Sequence, residues 1–168
     1  MDEKHWYAGY TKYRKEDLFN QSATEKGFET YLPRKISGEP LFNNYVFVLA
    51  KTEELHKLAY LKGLSKMVRF NGYPTTIPNQ QISLLKKIEQ HYKELHSQSS
   101  HMVIGDRVLI AKGPLSGHEG ILTQDQGARK VALSMLKLNQ SVLINVPLSH
   151  VVPLEGDANN GFNELNYA

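Results

Sequence analysis

"PLFNNYVFVLA", residues 40–50, is the stretch on which the fold turns. It is apolar almost throughout, yet Asn43 and Asn44 stand in its middle. A run of β-branched and aromatic residues of this length reads as a strand. On a pleated strand alternate residues face opposite sides. Tyr45, Phe47 and Leu49 therefore share one face, and Val46, Val48 and Ala50 the other. Phe42 has the wrong parity to join Tyr45 and Phe47 unless the chain bulges, and asparagine tolerates the backbone angles of a bulge at Asn43-Asn44. Such a bulge would aim Phe42, Tyr45 and Phe47 at one patch. Two readings stay open: the rings are ordinary core, or they form an exposed aromatic patch of the kind that marks an interaction site.

Working outward, "HWYAGYT" (residues 5–11) is an aromatic-rich strand, "RKEDLFNQSATEKG" is helical with Gly27 as its stop, and "FETYLPRK" is a second strand. "SGE" supplies the turn before the opening stretch, which is the third strand. Thr52 is placed to cap a short helix over "EELHKLAYLK", with Glu53 and Glu54 in its first turn, where negative charge is favoured, and Gly63 at its end. "SKMVRFNG" is a fourth strand and "YPTTIPNQQ" a connector. Asn79 stands as the cap of a helix that sets Ile82, Leu85, Ile88 and Leu95 on one stripe at helical spacing. The first part thus reads as a β-α-β-β-α-β-α unit over residues 1–95. It is expected to be an α+β domain with a mixed or antiparallel four-stranded sheet and about three helices on one face. The other face would then lie open beneath Tyr45 and Phe47.

Residues 96–102, "HSQSSHM", are polar without periodicity and read as a linker. Five short strand-like runs follow, split by Gly, Asn, Asp and Pro. Their spacing predicts a five-stranded small β-barrel over residues 103–154. The tail, 155–168, reads as disordered.

The basic excess lies entirely in the first part. Residues 1–95 carry 15 Lys and Arg against 11 Asp and Glu, whereas residues 96–168 carry 5 against 6. A polyanion is therefore sought in the first part, though a solvated lysine surface accounts for a modest excess equally well. There is no cysteine, hence no disulfide framework and no thiolate metal site. No signal-peptide core or membrane-length apolar run is present, so the protein is expected in the cytoplasm with no membrane partner. None of the seven histidines forms an HExxH or comparable ligand pair, and there is no GxSxG, P-loop or GxGxxG in context. The glycines of "KGPLSGHEG" suit a tight turn, without the Lys-Ser/Thr ending of a phosphate loop. An enzyme is not expected, and neither cofactor nor metal is implied.

Taken in order, "WYAGY", "FETYLP", "EPLFNNYVFV", "MVRFNGYPTTIP" and "GDRVLIAKGPLSGHEGIL" resemble the NusG family of transcription elongation factors over roughly residues 5–154. The first part resembles the NusG N-terminal domain and the second a KOW domain. The "PLFxxYxFV" and "VRFxGxPxxIP" forms, with "SMLKLNQSVLINV", resemble the specialised paralogues, the RfaH-type factors and the UpxY antiterminators of polysaccharide operons. The resemblance implies a monomer that docks on the β′ clamp helices of RNA polymerase, bridges to the β lobe and suppresses pausing and termination. It implies polymerase contacts at Phe42, Tyr45, Phe47, Phe70 and Ile82, and contacts to non-template single-stranded DNA at Lys12 and Lys62, with Lys15, Lys66 and Arg69 nearby in sequence. Tyr13, between Lys12 and Arg14, is placed to stack on a base. For the KOW domain it implies ribosomal protein S10 or Rho as partner, or a fold-switched helical hairpin over "RKVALSMLKLNQ". The β-branched "VLINV" and "HVVPL", with Pro147 and Pro153, favour the barrel. Two departures stand out: Asn43-Asn44 replaces a common Pro-Gly, and "RKISGE" is shorter than the hairpin many relatives carry. Two other classes remain, a general NusG-type elongation factor and a translation-linked RNA-binding KOW protein. The near-neutral second part argues against the latter.

Overall fold

The computed structural model describes residues 3–125 and 127–154 and divides into two compact units, residues 1–89 and 90–168. The boundary falls inside the last helix, six residues before the end expected for the first domain.

The first unit is built on β1 (Lys4–Thr11), α1 (Glu16–Glu25), β2 (Glu29–Tyr31), β3 (Tyr45–Lys51), α2 (Leu55–Leu58), β4 (Leu64–Met67), β5 (Arg69–Phe70), β6 (Tyr73–Pro74), β7 (Thr76–Ile77) and α3 (Asn79–His91). Its main sheet is antiparallel in the order β2-β3-β1-β4, with β7 also paired to β1. The opening stretch lies at its centre, with Ala8 opposite Phe47 and Tyr10 opposite Tyr45.

One sheet face packs on α1 and α2. Phe19, Ala23 and Leu58 from the helices meet Tyr7, Val46, Val48 and Ala50 from the strands. The helix comes so close that a Cβ on Gly9 would lie 2.8 Å from the Phe19 ring. Glu16 and Asp17 occupy the first turn of α1, where the helix dipole favours carboxylates, and Gly27 ends it with φ +91.

The opposite face carries Trp6, Ala8, Tyr10, Tyr31, Tyr45 and Phe47, as the strand register requires. It was expected to lie open. Instead α3 lies on it, burying Ile82, Leu85 and Ile88. Lys86 Nζ stands 5.7 Å from the Trp6 ring centre and 5.3 Å from that of Tyr31, and the Tyr31 hydroxyl donates to Glu89 at 2.6 Å. The stripe of α3 is legible at Ile82, Leu85 and Ile88, but Leu95, expected on the same stripe, lies beyond the helix end at His91, and the face the stripe covers is not legible in the sequence. The first unit is therefore three layers, helix on sheet on helix.

Three local differences follow from hydrogen bonding. The expected helix after Thr52 is a 3-10 turn, Thr52–Glu54, and a single α-turn. Its start is fixed by the Glu54 carboxylate accepting the Lys51 N–H at 3.0 Å, in place of a Thr52 cap. The fourth strand breaks after Met67 into a separate hairpin, β5-β6, turning on Asn71 (φ 51) and Gly72 (φ 82). These positive angles at both central residues are those of a type I′ turn. The Asn79 cap is replaced by Pro78, whose carbonyl accepts from Gln81 and Ile82 at 3.0 and 3.3 Å.

The second unit carries β8 (His96–Ser99), β9 (Asp106–Ile110), β10 (Glu119–Asp125), β11 (Ala128–Met135), β12 (Gln140–Ile144) and β13 (Val151–Pro153). All pairs are antiparallel, in the order β13-β9-β10-β11-β12-β8. The expected linker is therefore largely a strand. His96–Ser99 pairs with β12, and a 3-10 turn follows over Ser100–Met102. The extra strand makes six where five were expected, and no pairing among the described residues closes the sheet into a barrel. Residues 129–135 are strand, not helix, and Leu136–Leu138 is a 3-10 turn. Val108, Ile110, Val131, Leu133, Val142 and Ile144 supply much of the core. Gly105 is required by packing, since a Cβ there would lie 1.9 Å from the Leu122 carbonyl oxygen. The expected tail, 155–168, lies outside the described residues.

Candidate functional site

The Asn43-Asn44 step sets the geometry. It is a turn before the strand, not a bulge within it. Asn44 has φ 72, the Tyr45 N–H points to the Phe42 carbonyl at 3.5 Å, and β3 begins only at Tyr45. Glu16, itself buried, accepts the Asn44 N–H at 2.9 Å, and the Asn44 side chain donates to the Thr11 carbonyl at 3.0 Å. One asparagine thus ties the ends of β1, α1 and β3 together.

This turn sends Phe42 inward. Its ring meets Phe47 edge-on at 6.5 Å, and Phe47 stacks on Tyr31 at 6.1 Å. Phe42, Phe47 and Ile82 are each at most 2 % exposed. The contiguous patch of Phe42, Tyr45 and Phe47 is therefore corrected: two of its three rings are core, because α3 occupies the face on which they stand. The turn does bring Phe42 and Phe47 together as expected, but inside. Tyr45 differs. It lies toward the end of the face, half-buried, edge-on to Tyr10 at 5.3 Å, with Lys66 Nζ 5.8 Å from the Tyr10 ring centre. Burial, with Tyr10 beside it, raises the Tyr45 phenol above its ordinary value. Tyr10 was missed; the signal lay in the period-two alternation of "HWYAGYT", which puts it on the face of Trp6 and Ala8.

Phe70 stands apart from these rings, 72 % exposed on the β5-β6 hairpin opposite Tyr73, which is 77 % exposed. Tyr73 was also missed, although Asn-Gly between two aromatic residues is a hairpin signal.

The cations fall into two groups. Lys12, Lys15 and Lys62 meet where β1 ends and α2 leads into β4. The Lys12 N–H donates to the Gly63 carbonyl at 2.8 Å, and a Cβ on Gly63 (φ +89) would lie 3.0 Å from the Lys15 carbonyl oxygen. All three lysines are exposed, as is Tyr13 between Lys12 and Arg14. Arg14, with φ 55, rests its guanidinium 5.2 Å from the Tyr13 ring centre. Lys66 and Arg69 line a separate hollow of about 330 Å³ with His56, and the Arg69 guanidinium donates to the Gly72 carbonyl at 3.0 Å across the hairpin. The chemistry available is charge and flat rings, suited to a polyanion with stackable bases. Among the described residues there is no cluster of three or more acidic, histidine or cysteine side chains able to hold a metal, and no helix long and apolar enough to cross a membrane.

The first unit is thus a sheet with helices on both faces, α3 on its aromatic side, and the second unit is antiparallel β. Residues 4–86 match the family model described as NusG, transcription termination factor nusG, so that segment is a NusG-family domain. Among solved structures, "Domain interaction in Thermotoga maritima NusG" is 18 % identical, with 91 % of this chain and 98 % of that one covered at a TM-score of 0.62, a likeness of fold. The structure titled MjSpt4:Spt5 complex, conformation A, is 20 % identical over 90 % of this chain and 99 % of that one at a TM-score of 0.34.

Proposed function

We propose that this protein is a transcription elongation factor that docks on the β′ clamp helices of RNA polymerase, bridges to the β lobe and opposes pausing and termination. Its specialised motif forms favour action on a particular operon, such as one for surface polysaccharide, with non-template single-stranded DNA as a second contact. The observation that carries the reading is a NusG-family domain whose Tyr10–Tyr45 ring pair sits half-buried at the end of an otherwise covered aromatic face. Rings held edge-on by their own fold lose little freedom on docking, which suits them as anchors. Tyr45 and the hairpin residue Phe70 are the polymerase contacts, and Phe42, Phe47 and Ile82 support them from below. Lys12, Lys15 and Lys62 hold the DNA backbone, with Lys66 and Arg69 as a second cationic group. The KOW-like unit offers ribosomal protein S10 a surface.

The test is transcription in vitro through a terminator placed behind the native operon's leader and behind an unrelated leader. Read-through raised only on the native leader supports the specialised reading. Equal read-through on both makes the protein a general elongation factor. No effect on either, with no retention on immobilised clamp helices, refutes the proposal.

A further inference from the structure

A second basic cleft shares no residue with the sites above. It has a volume of about 360 Å³ and gathers Lys4 from the start of β1, Lys26 at the C-terminal cap of α1 and Lys57 from α2. Phe28 contributes apolar wall, and Tyr60 stands on it 90 % exposed. Phe28 and Leu61, which also line the cleft, pack against the buried core, so the wall is anchored.

Its lining is net cationic. Three lysines and one carboxylate line it, and that carboxylate, Glu54, already accepts the Lys51 N–H at 3.0 Å. Among the described residues no ion pair engages Lys4, Lys26 or Lys57. Three like charges around one hollow repel one another, a cost that an anionic ligand removes. A nearly bare tyrosine ring beside them adds a flat apolar surface. An acidic peptide would use the lysines but leave the ring idle; a strand of nucleic acid uses both, phosphates on the cations and a base on the ring.

We propose that this cleft binds a segment of single-stranded nucleic acid, its phosphates held by Lys4, Lys26 and Lys57 and one base stacked on Tyr60. The site is independent of the contact proposed at Lys12 and Lys62.

The experiment measures binding of a fluorescein-labelled oligothymidylate to the full chain across a salt series, in the wild type and in a Lys12→Ala/Lys62→Ala background. In that background Tyr60→Ala is expected to weaken binding about tenfold, with Tyr60→Phe restoring it. Replacing all three lysines by glutamine is expected to flatten the salt slope by about 2, from roughly 0.7 per phosphate contact on a single strand. A bromodeoxyuridine oligomer should photocrosslink to the peptide bearing Tyr60. The proposal is overturned if binding vanishes with Lys12 and Lys62 and ignores the cleft variants, a result that leaves the DNA contact at those two lysines standing. It is equally overturned if polyglutamate of matched charge binds as tightly, if dTMP competes as well per phosphate as the oligomer, or if no oligothymidylate binds at all.

Discussion

Phe47→Ala separates a ring that holds the domain together from one that holds a partner. Phe47 is fully buried, stacked on Tyr31 at 6.1 Å and met edge-on by Phe42 at 6.5 Å. Removing a buried phenyl ring costs about 3–5 kcal/mol, the lost transfer energy plus the cavity left behind. A unit of 89 residues has about 4–13 kcal/mol in hand at typical stability per residue. The substitution therefore removes between about a quarter and all of it. Phe47→Leu keeps most of the volume and should cost only about 1–1.5 kcal/mol. The chain has one tryptophan, Trp6, and it lies on the same sheet face as Phe47, so urea unfolding followed by its fluorescence reports on this unit. With a slope near 1 kcal/mol/M, the midpoint of Phe47→Ala should fall by roughly 3 M, or the unit should fail to fold. A shift below about 1 M would refute the packing described and return Phe47 to the surface as a docking residue.

Tyr45→Ala should behave in the opposite sense, folding normally but losing about 1–4 kcal/mol of binding to isolated β′ clamp helices; a pull-down with unchanged retention would count against the docking surface. Lys12→Ala with Lys62→Ala should leave the melting curve in place and weaken the footprint on a paused transcription complex, and equal footprints would remove these lysines from the DNA contact. Burial, with the hydrogen bond to Glu89 and its negative charge, pushes the Tyr31 phenol far above its ordinary value. Because the folded state holds that proton more tightly, its contribution is complete below about pH 10 and is lost as pH rises beyond. Tyrosinate absorbance should therefore show a most resistant tyrosine that ionises only on alkaline unfolding, above the smaller upward shifts of Tyr45 and Tyr92, and Tyr31→Phe should remove that last step. Tyr31→Phe should also cost about 1.5–3 kcal/mol, the range for a hydrogen bond to a charged group; a loss below about 0.5 kcal/mol by urea unfolding would show that Glu89 does not depend on it.

By itself the sequence determined which residues alternate across the central strand, which stripe α3 buries, and where Gly27 ends α1, since each depends on local periodicity or a single backbone angle. It also carried the NusG-like motif order and the side of the chain on which cations collect. Only the tertiary structure decided what covers the aromatic face, because an amphipathic stripe says that a helix is covered and not by which side of which sheet. The same limit hid β8, whose polar residues have no apolar period and become a strand only when β12 lends hydrogen-bond partners. Tertiary structure likewise gathered Lys4, Lys26 and Lys57, which are far apart in the chain, around one hollow. Long-range packing chooses among locally equivalent surfaces, and it settled that Phe47 lies inside while Tyr45 remains in reach of water.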